Sequence, residues 1–202
     1  MESLLSDLIL ALSVILIYSP TRSGPFLFDD LVVLPQTLLT TYIRDPQAPH
    51  PLVFFFRGFW ANRHSFKQLL HHIRQRPLLY FTYNLNAYHS GLHPGPWHWT
   101  NIYLHTLASV LVLHIARYWL GSLVLSTMVG FLFAVHPLST MAVSYISGRS
   151  SVLCSVFMLA SILAFVYHLY IFTFVLGLLA ILSKPEAIVL PFLLGGVWWL
   201  RP

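Results

Sequence analysis

Six runs of mostly apolar residues, separated by polar stretches of which one is long, constrain this chain more than any other feature. A membrane-spanning helix needs about 20 apolar residues, so a chain of 202 residues holds several crossings and one sizeable loop. Only 8% of the residues are charged and 57% are hydrophobic, whereas roughly 25% of the residues of a soluble domain are charged. The composition therefore excludes an ordinary soluble protein.

The pattern predicts an all-α membrane protein, a single polytopic bundle of about six to seven membrane helices over residues 1–202. Several runs are shorter than a bilayer is thick, so we expect neighbouring helices to shelter them. Glu2 and Asp7 precede the first run in place of basic residues, which favours a retained span over a cleaved signal peptide. The predicted membrane helices are residues 4–19, 99–117, 121–136, 151–168, 170–183 and 187–201.

The long polar stretch, residues 20–97, is predicted to form a large first loop. Within it, residues 30–42 and 66–76 carry apolar positions at helical spacing, which predicts short helices lying on the membrane surface. The loop also carries most of the basic residues, which favours the cytoplasmic side. That rule weakens for loops longer than about 60 residues, so charge alone does not fix the orientation.

Counting the crossings places most ionisable groups at one rim of the bundle. Only Arg117 and Arg201 fall at the opposite rim. Ionisable groups held at a membrane boundary are candidates for a functional site. The groups on the shared rim are Asp29, Asp30, Arg76, His136, Arg149, Lys184 and Glu186.

The pair Asp29 and Asp30 directly follows the start of the loop. A carboxylate here is placed to accept a proton from an acceptor hydroxyl and so act as a general base. The apolar residues that follow also fit a helix whose first amides are capped by an aspartate. Both interpretations remain open from the spacing.

The cations Arg76, Arg149 and Lys184 supply positive charge on the same rim. Cations beside a membrane surface suit the phosphate of a lipid headgroup or of a lipid-linked substrate. Taken singly, each is also an ordinary interfacial anchor whose charged end reaches water.

Eleven histidines and a single cysteine raise the question of a metal site. His98 and His105 lie on one face of a predicted helix, but no spacing typical of metal ligands is present. We therefore predict no metal site and no resident cofactor, and a divalent metal has no support from the sequence. Cys154 has no partner for a disulfide. Nothing in the pattern indicates nucleic-acid binding, and the expected partners are membrane lipids.

Four stretches together resemble the GT-C superfamily of membrane glycosyltransferases. The similarity is to the N-terminal membrane module of O-mannosyltransferase-like proteins that carry tetratricopeptide repeats. Order and spacing agree along almost the whole chain. The stretches are Phe28–Asp30, Arg76–Asn86 continuing through His98, Asn101 and His105, Leu132–Val143 followed by Ser147–Ser151, and Leu182–Pro191.

The resemblance implies a glycosyltransferase that takes a sugar from a polyprenyl-phosphate carrier. By position, Asp29 or Asp30 would activate the acceptor hydroxyl, and attack opposite the phosphate would invert the anomeric centre. The resemblance also implies an extracytoplasmic loop, in the bacterial inner membrane or the endoplasmic reticulum. The residues it assigns to the phosphate are Arg76, His136, Arg149 and Lys184, with Glu186, His98 and His105 as further rim candidates.

Two positions depart from the family pattern. Met141 stands where members often have an acidic residue, and Pro185 separates Lys184 from Glu186. Typical members also continue with further membrane helices and repeats, so a truncated module is one interpretation of this chain. The alternative is a non-catalytic subunit that keeps the packing motifs and acts as a scaffold with other membrane subunits.

Overall fold

The computed structural model describes residues 2–27, 29–30 and 76–200, and every regular element in these ranges is helical. The all-α prediction is therefore confirmed for this part of the chain. The predicted surface helices at 30–42 and 66–76 lie almost wholly outside the described residues. The elements are α1 (Glu2–Tyr18), a 3-10 turn (Ser19–Ser23), α2 (Pro77–Ser90), α3 (Pro94–Leu120), α4 (Leu123–Val135), α5 (Pro137–Ser144), α6 (Arg149–Val166), α7 (Tyr170–Ser183), a second 3-10 turn (Pro185–Val189) and α8 (Leu190–Trp199).

Three helical segments in the described ranges are long and apolar enough to cross a bilayer, namely Glu2–Ser23, Pro94–Leu120 and Arg149–Val166. A fourth span results if α4 and α5, which meet at a bend of 58°, count as one. Helix α7 has 14 residues and so reaches about 21 Å at 1.5 Å per residue, short of a hydrocarbon core of about 30 Å. The structure thus gives three to four candidate spans and does not confirm six to seven.

Part of the predicted loop is helical. Helix α2 occupies residues that the sequence placed in the loop, and α3 begins at Pro94, ahead of the predicted start at residue 99. Proline stands at the first turn of both helices, where its missing N–H costs nothing and its fixed φ suits a helix. The predicted loop therefore contains a helix at its C-terminal end, and its boundary with the membrane stays a prediction.

The core of the bundle forms where α1, α3 and α4 meet. Leu10 and Val14 of α1 pack with Leu113 of α3 and Ala134 of α4, all buried. Gly130 permits this approach, since a Cβ built there would lie only 3.0 Å from Leu10 Cδ2 and from Leu113 Cβ. Small residues at such contacts let membrane helices pack closely.

The predicted span 121–136 ends at a sharp joint, because α4 stops at Val135 and α5 starts at Pro137. His136 between them has extended backbone angles, with φ −60° and ψ 131°. Its Nδ1 accepts a hydrogen bond from the Leu138 amide at 3.2 Å, which caps α5. We call residues 134–148, from the end of α4 to the start of α6, the helical joint.

Candidate functional site

Asp30 is the first residue that fixes the site. It is 1% exposed, and its carboxylate accepts hydrogen bonds from three backbone amides. These are Ser147 at 2.7 Å, Ile146 at 3.3 Å and Leu27 at 3.3 Å. A carboxylate bonded to three amides holds the start of the loop against the helical joint. Because these bonds occupy its oxygens, Asp30 is poorly placed to take a proton from the hydroxyl of a substrate.

Asp29, its neighbour, has the opposite environment. Its side chain is exposed, and it lines a cavity of about 570 Å³ together with Arg76, Tyr80, Tyr145 and Gly148. That volume lies within the range of about 300–1,000 Å³ typical of small-molecule sites. The geometry therefore separates the two aspartates: Asp30 holds the backbone, and Asp29 faces open space.

The first turn of α6 brings two cations together. Arg76 Nη1 lies 3.5 Å from Ser150 Oγ, and Lys184 Nζ donates to Ser151 Oγ at 3.2 Å. Lys184 also pairs with Glu186, at 3.3 Å between Nζ and Oε1. The positive dipole at the N-terminus of α6 adds to the field of the two cations. We call Arg76, Lys184, Ser150 and Ser151 the cationic wall; of these four, Arg76 lines the cavity and the other three lie behind it at the first turn of α6.

Arg149 lies beneath the cavity. Its side chain is 0% exposed, although the sequence grouped it with the phosphate-binding cations. Its Nε donates to Asn101 Oδ1 at 2.8 Å, its Nη1 to Asn86 Oδ1 at 2.6 Å and its Nη2 to the Trp97 carbonyl at 3.0 Å. Its guanidinium also stands over the Tyr83 ring, 4.8 Å from the centroid, a cation–π contact. The placement makes Arg149 a buried brace that joins α6 to α2 and α3, with no face toward a ligand.

The two candidate histidines of α3 bind backbone oxygens. Both are buried. His105 Nε2 lies 3.0 Å from the Ala134 carbonyl oxygen, which also accepts a hydrogen bond from the Tyr18 hydroxyl at 3.0 Å. His98 Nε2 lies 3.2 Å from the Gly24 carbonyl oxygen. The structure thus gives both histidines structural contacts and does not bring their rings to the cavity wall.

Two further side chains hold the helical joint. Asn101 Nδ2 donates to the Tyr145 carbonyl at 2.8 Å and to the Val143 carbonyl at 3.3 Å. The Tyr83 hydroxyl donates to the Ile146 carbonyl at 3.0 Å. A broken helix leaves carbonyls without helical partners, and unpaired groups are costly at membrane depth. Asn101 supplies a donor to the Val143 carbonyl. The Tyr145 and Ile146 carbonyls also accept from the backbone amides of Gly148 and Arg149, so Asn101 and Tyr83 give them a second donor.

Burial sets the protonation of the tyrosines around the cavity. It raises the pKa of Tyr83 well above its ordinary value, outweighing the opposing effect of Arg149, so the phenol keeps its proton and donates it. Burial also raises the pKa of Tyr80, against a smaller lowering by Arg76. Both tyrosines are therefore neutral donors at physiological pH.

His136 is exposed and caps α5 through the hydrogen bond to Leu138. It is not among the residues that line the cavity. Glu186 is also exposed, and its carboxylate forms an ion pair with Lys184. In the ranges 2–27, 29–30 and 76–200, no group of three His, Cys, Asp or Glu side chains is arranged to hold a metal ion.

Sequence reasoning missed the tyrosines and Gly148. Tyr80 and Tyr83 stand three apart on α2, on one helical face, a signal that was present in the sequence. Nothing in the local sequence indicates that position 148 must be glycine, because the requirement comes from the nearby backbone of Ala142. A Cβ there would lie 2.5 Å from the Ala142 carbonyl oxygen, so only glycine lets the joint close against α6.

Comparison with known proteins finds several similar protein O-mannosyl-transferases. The chain is 32% identical over 154 residues to protein O-mannosyl-transferase TMTC2 of Mus musculus, covering 75% of this chain and 17% of that protein. It is 32% identical over 166 residues to protein O-mannosyl-transferase TMTC4 of Homo sapiens, covering 75% of this chain and 21% of that protein. Protein O-mannosyl-transferase TMTC3 of Homo sapiens is 33% identical over 141 residues, which are 69% of this chain and 14% of that protein.

The matched region is therefore most of this chain and a small part of each relative. The chain spans less than a quarter of the length of these relatives. No family profile matches the chain, and no solved structure matches it.

Proposed function

Because this chain carries a membrane module homologous to part of the protein O-mannosyl-transferases, we propose that it transfers a sugar from a polyprenyl-phosphate carrier to a hydroxyl acceptor. The observation that carries the proposal is the cavity itself, where Asp29 and Arg76 face the same space. This transfer requires a base that takes the proton of the acceptor hydroxyl and a cation that offsets the negative charge on the leaving phosphate.

Asp29 is the base of the proposed reaction. Its carboxylate takes the proton of the acceptor hydroxyl while the hydroxyl oxygen forms a bond to the anomeric carbon. The bond from that carbon to the phosphate oxygen breaks, and the phosphate leaves with the electron pair. Attack from the side opposite the phosphate inverts the anomeric centre. Asp30 does not take part, since its oxygens are held by backbone amides.

The cationic wall is the proposed phosphate site. Negative charge grows on the leaving phosphate, and fixed cations offset it. Arg76 lines the cavity, and Lys184 reaches Ser151 in the same turn of α6. The buried Arg149 side chain supports the first turn of α6 from inside the protein. His136 caps α5 within the helical joint.

The proposed setting follows from the donor. A polyprenyl carrier lies in the bilayer, so membrane lipids surround the site. The relatives come from mouse and human, which favours the endoplasmic reticulum over a bacterial inner membrane, with the first loop on the extracytoplasmic side. The relatives are transferases by name, which favours a transferase over a scaffold role beside other membrane subunits.

The test is sugar transfer from a radiolabelled polyprenyl-phosphate mannose by the full chain in gently solubilised membranes. Asp29→Asn is expected to lower turnover by about 10²–10⁴-fold, the usual contribution of a general base, with an unchanged melting temperature because the side chain is exposed. Asp30→Asn is the matched control, and it is expected to lower the melting temperature because it disturbs buried amide contacts. Full turnover by Asp29→Asn would remove Asp29 as the base.

A further inference from the structure

Lys184 lies at the end of α7 and meets an acid from its own turn. Its backbone is extended, with φ −156° and ψ 126°, as is usual for a residue before proline. Pro185 then opens the 3-10 turn, and Glu186 follows in its first turn. This geometry folds the Glu186 carboxylate back to the Lys184 ammonium, at 3.3 Å.

Glu186 is an exposed carboxylate in the field of both wall cations. Its side chain is 63% exposed, against 26% for Lys184. Its pKa is lowered, first by a hydrogen bond to its own backbone amide, then by Lys184 and Arg76, while slight desolvation opposes the shift. Glu186 is therefore ionised at neutral pH. The hydrogen bond between the Glu186 carboxylate and its own amide fits a residue in the first turn of the 3-10 helix. That position does not by itself require the ion pair with Lys184.

We propose that Glu186 masks the phosphate site: its carboxylate occupies the ammonium face of Lys184 that a ligand phosphate needs, and phosphate binds by displacing it. This rests on the proposed function, because the cationic wall is the phosphate site only if that proposal holds. Displacement needs no large movement, since Glu186 is exposed and swings into water.

The mask has a consequence for turnover. The donor is a phosphodiester with one negative charge, whereas the product is a phosphomonoester that carries about −1.5 to −2 at pH 7. The product therefore binds bare cations more strongly than the donor does. A carboxylate that returns to Lys184 weakens the binding of donor and product by the same factor, and turnover gains most where the more tightly bound product is released.

The experiment measures the binding of geranylgeranyl monophosphate to the full chain in neutral detergent micelles, with uncharged geranylgeraniol as the probe for the lipid part alone. Glu186→Gln is expected to tighten binding about two- to fivefold, the range for releasing an exposed ion pair. Glu2→Gln, an equal charge change at the far end of α1, is the matched control and is expected to leave binding unchanged. Lys184→Gln is expected to weaken binding.

A double variant isolates the route of the effect. In the Lys184→Gln background, Glu186→Gln is expected to change nothing further, because the face that it masks is gone. Unchanged binding by Glu186→Gln, or equal tightening with and without Lys184, would overturn the mask while leaving the phosphate site intact. If Lys184→Gln and Arg76→Gln both bind the monophosphate as the native chain does, the phosphate site itself fails, and the mask fails with it.

Discussion

Arg149→Lys tests whether the buried cation is a brace. The three guanidinium nitrogens reach Asn101, Asn86 and the Trp97 carbonyl at 2.8, 2.6 and 3.0 Å, and Nη1 also reaches the Thr82 carbonyl at 3.4 Å. One ammonium nitrogen keeps the charge but stands at only one of these places. The bonds made by the other two nitrogens are then lost, at about 1.5 kcal/mol or more for each nitrogen because the donor is charged. The expected cost is about 3 kcal/mol of unfolding free energy, on the order of 6–12 °C in the melting midpoint for a chain of this size.

The assay is thermal unfolding of the purified chain in neutral detergent, followed by circular dichroism. Arg117→Lys is the matched control, because Arg117 is exposed near the end of α3 and loses nothing by the change. The reasoning is refuted if both variants melt within about 2 °C of the native chain, which corresponds to less than about 1 kcal/mol. A stable Arg149→Lys protein would mean that charge alone, without the planar fork, holds α2, α3 and α6 together.

Two further substitutions probe the helical joint. Gly148→Ala is expected to abolish sugar transfer, because the new Cβ would lie 2.5 Å from a backbone carbonyl oxygen of α5 and would displace the cavity wall; Gly195→Ala, which meets open space, is expected to retain it. Tyr83→Phe removes one of two donors to the Ile146 carbonyl, the other being the Arg149 amide, and is expected to cost about 0.5–1.5 kcal/mol by thermal unfolding, the net contribution of one hydrogen bond. Tyr103→Phe on an exposed position should cost nothing measurable, and equal melting of the two tyrosine variants would contradict the role of Tyr83.

Local signals in the sequence predict the elements well, because hydrophobic runs and prolines act over a few residues. The apolar runs predict α1, α3, α4, α6, α7 and α8, but not α2 and α5. Counting crossings predicts one rim for Arg76, Arg149 and Lys184; Arg76 and Lys184 reach Ser150 and Ser151 in the first turn of α6, whereas the Arg149 side chain is buried toward α2 and α3. The number of spans was predicted less well, since a run such as α7 is apolar enough but too short.

The roles within the site depend on partners far away in the chain. Nothing near Asp30 announces that it will accept amides of residues 146 and 147, so the two aspartates are equivalent in sequence and different in structure. The same holds for His105, whose partner is a carbonyl in a helix that breaks. The sequence pattern shows which residues are polar and how they are spaced, whereas tertiary contacts determine whether a polar side chain acts as a base or as a structural support.

The helical joint also has a meaning for biosynthesis. Five of the side chains that hold its carbonyls and amides precede it in the chain, namely Tyr18, Asp30, Tyr83, Asn101 and His105. A protein synthesised from its N-terminus presents its earlier segments first. These five partners are therefore made before the joint, so hydrogen-bonding groups for its exposed backbone already exist when the broken helix leaves the ribosome.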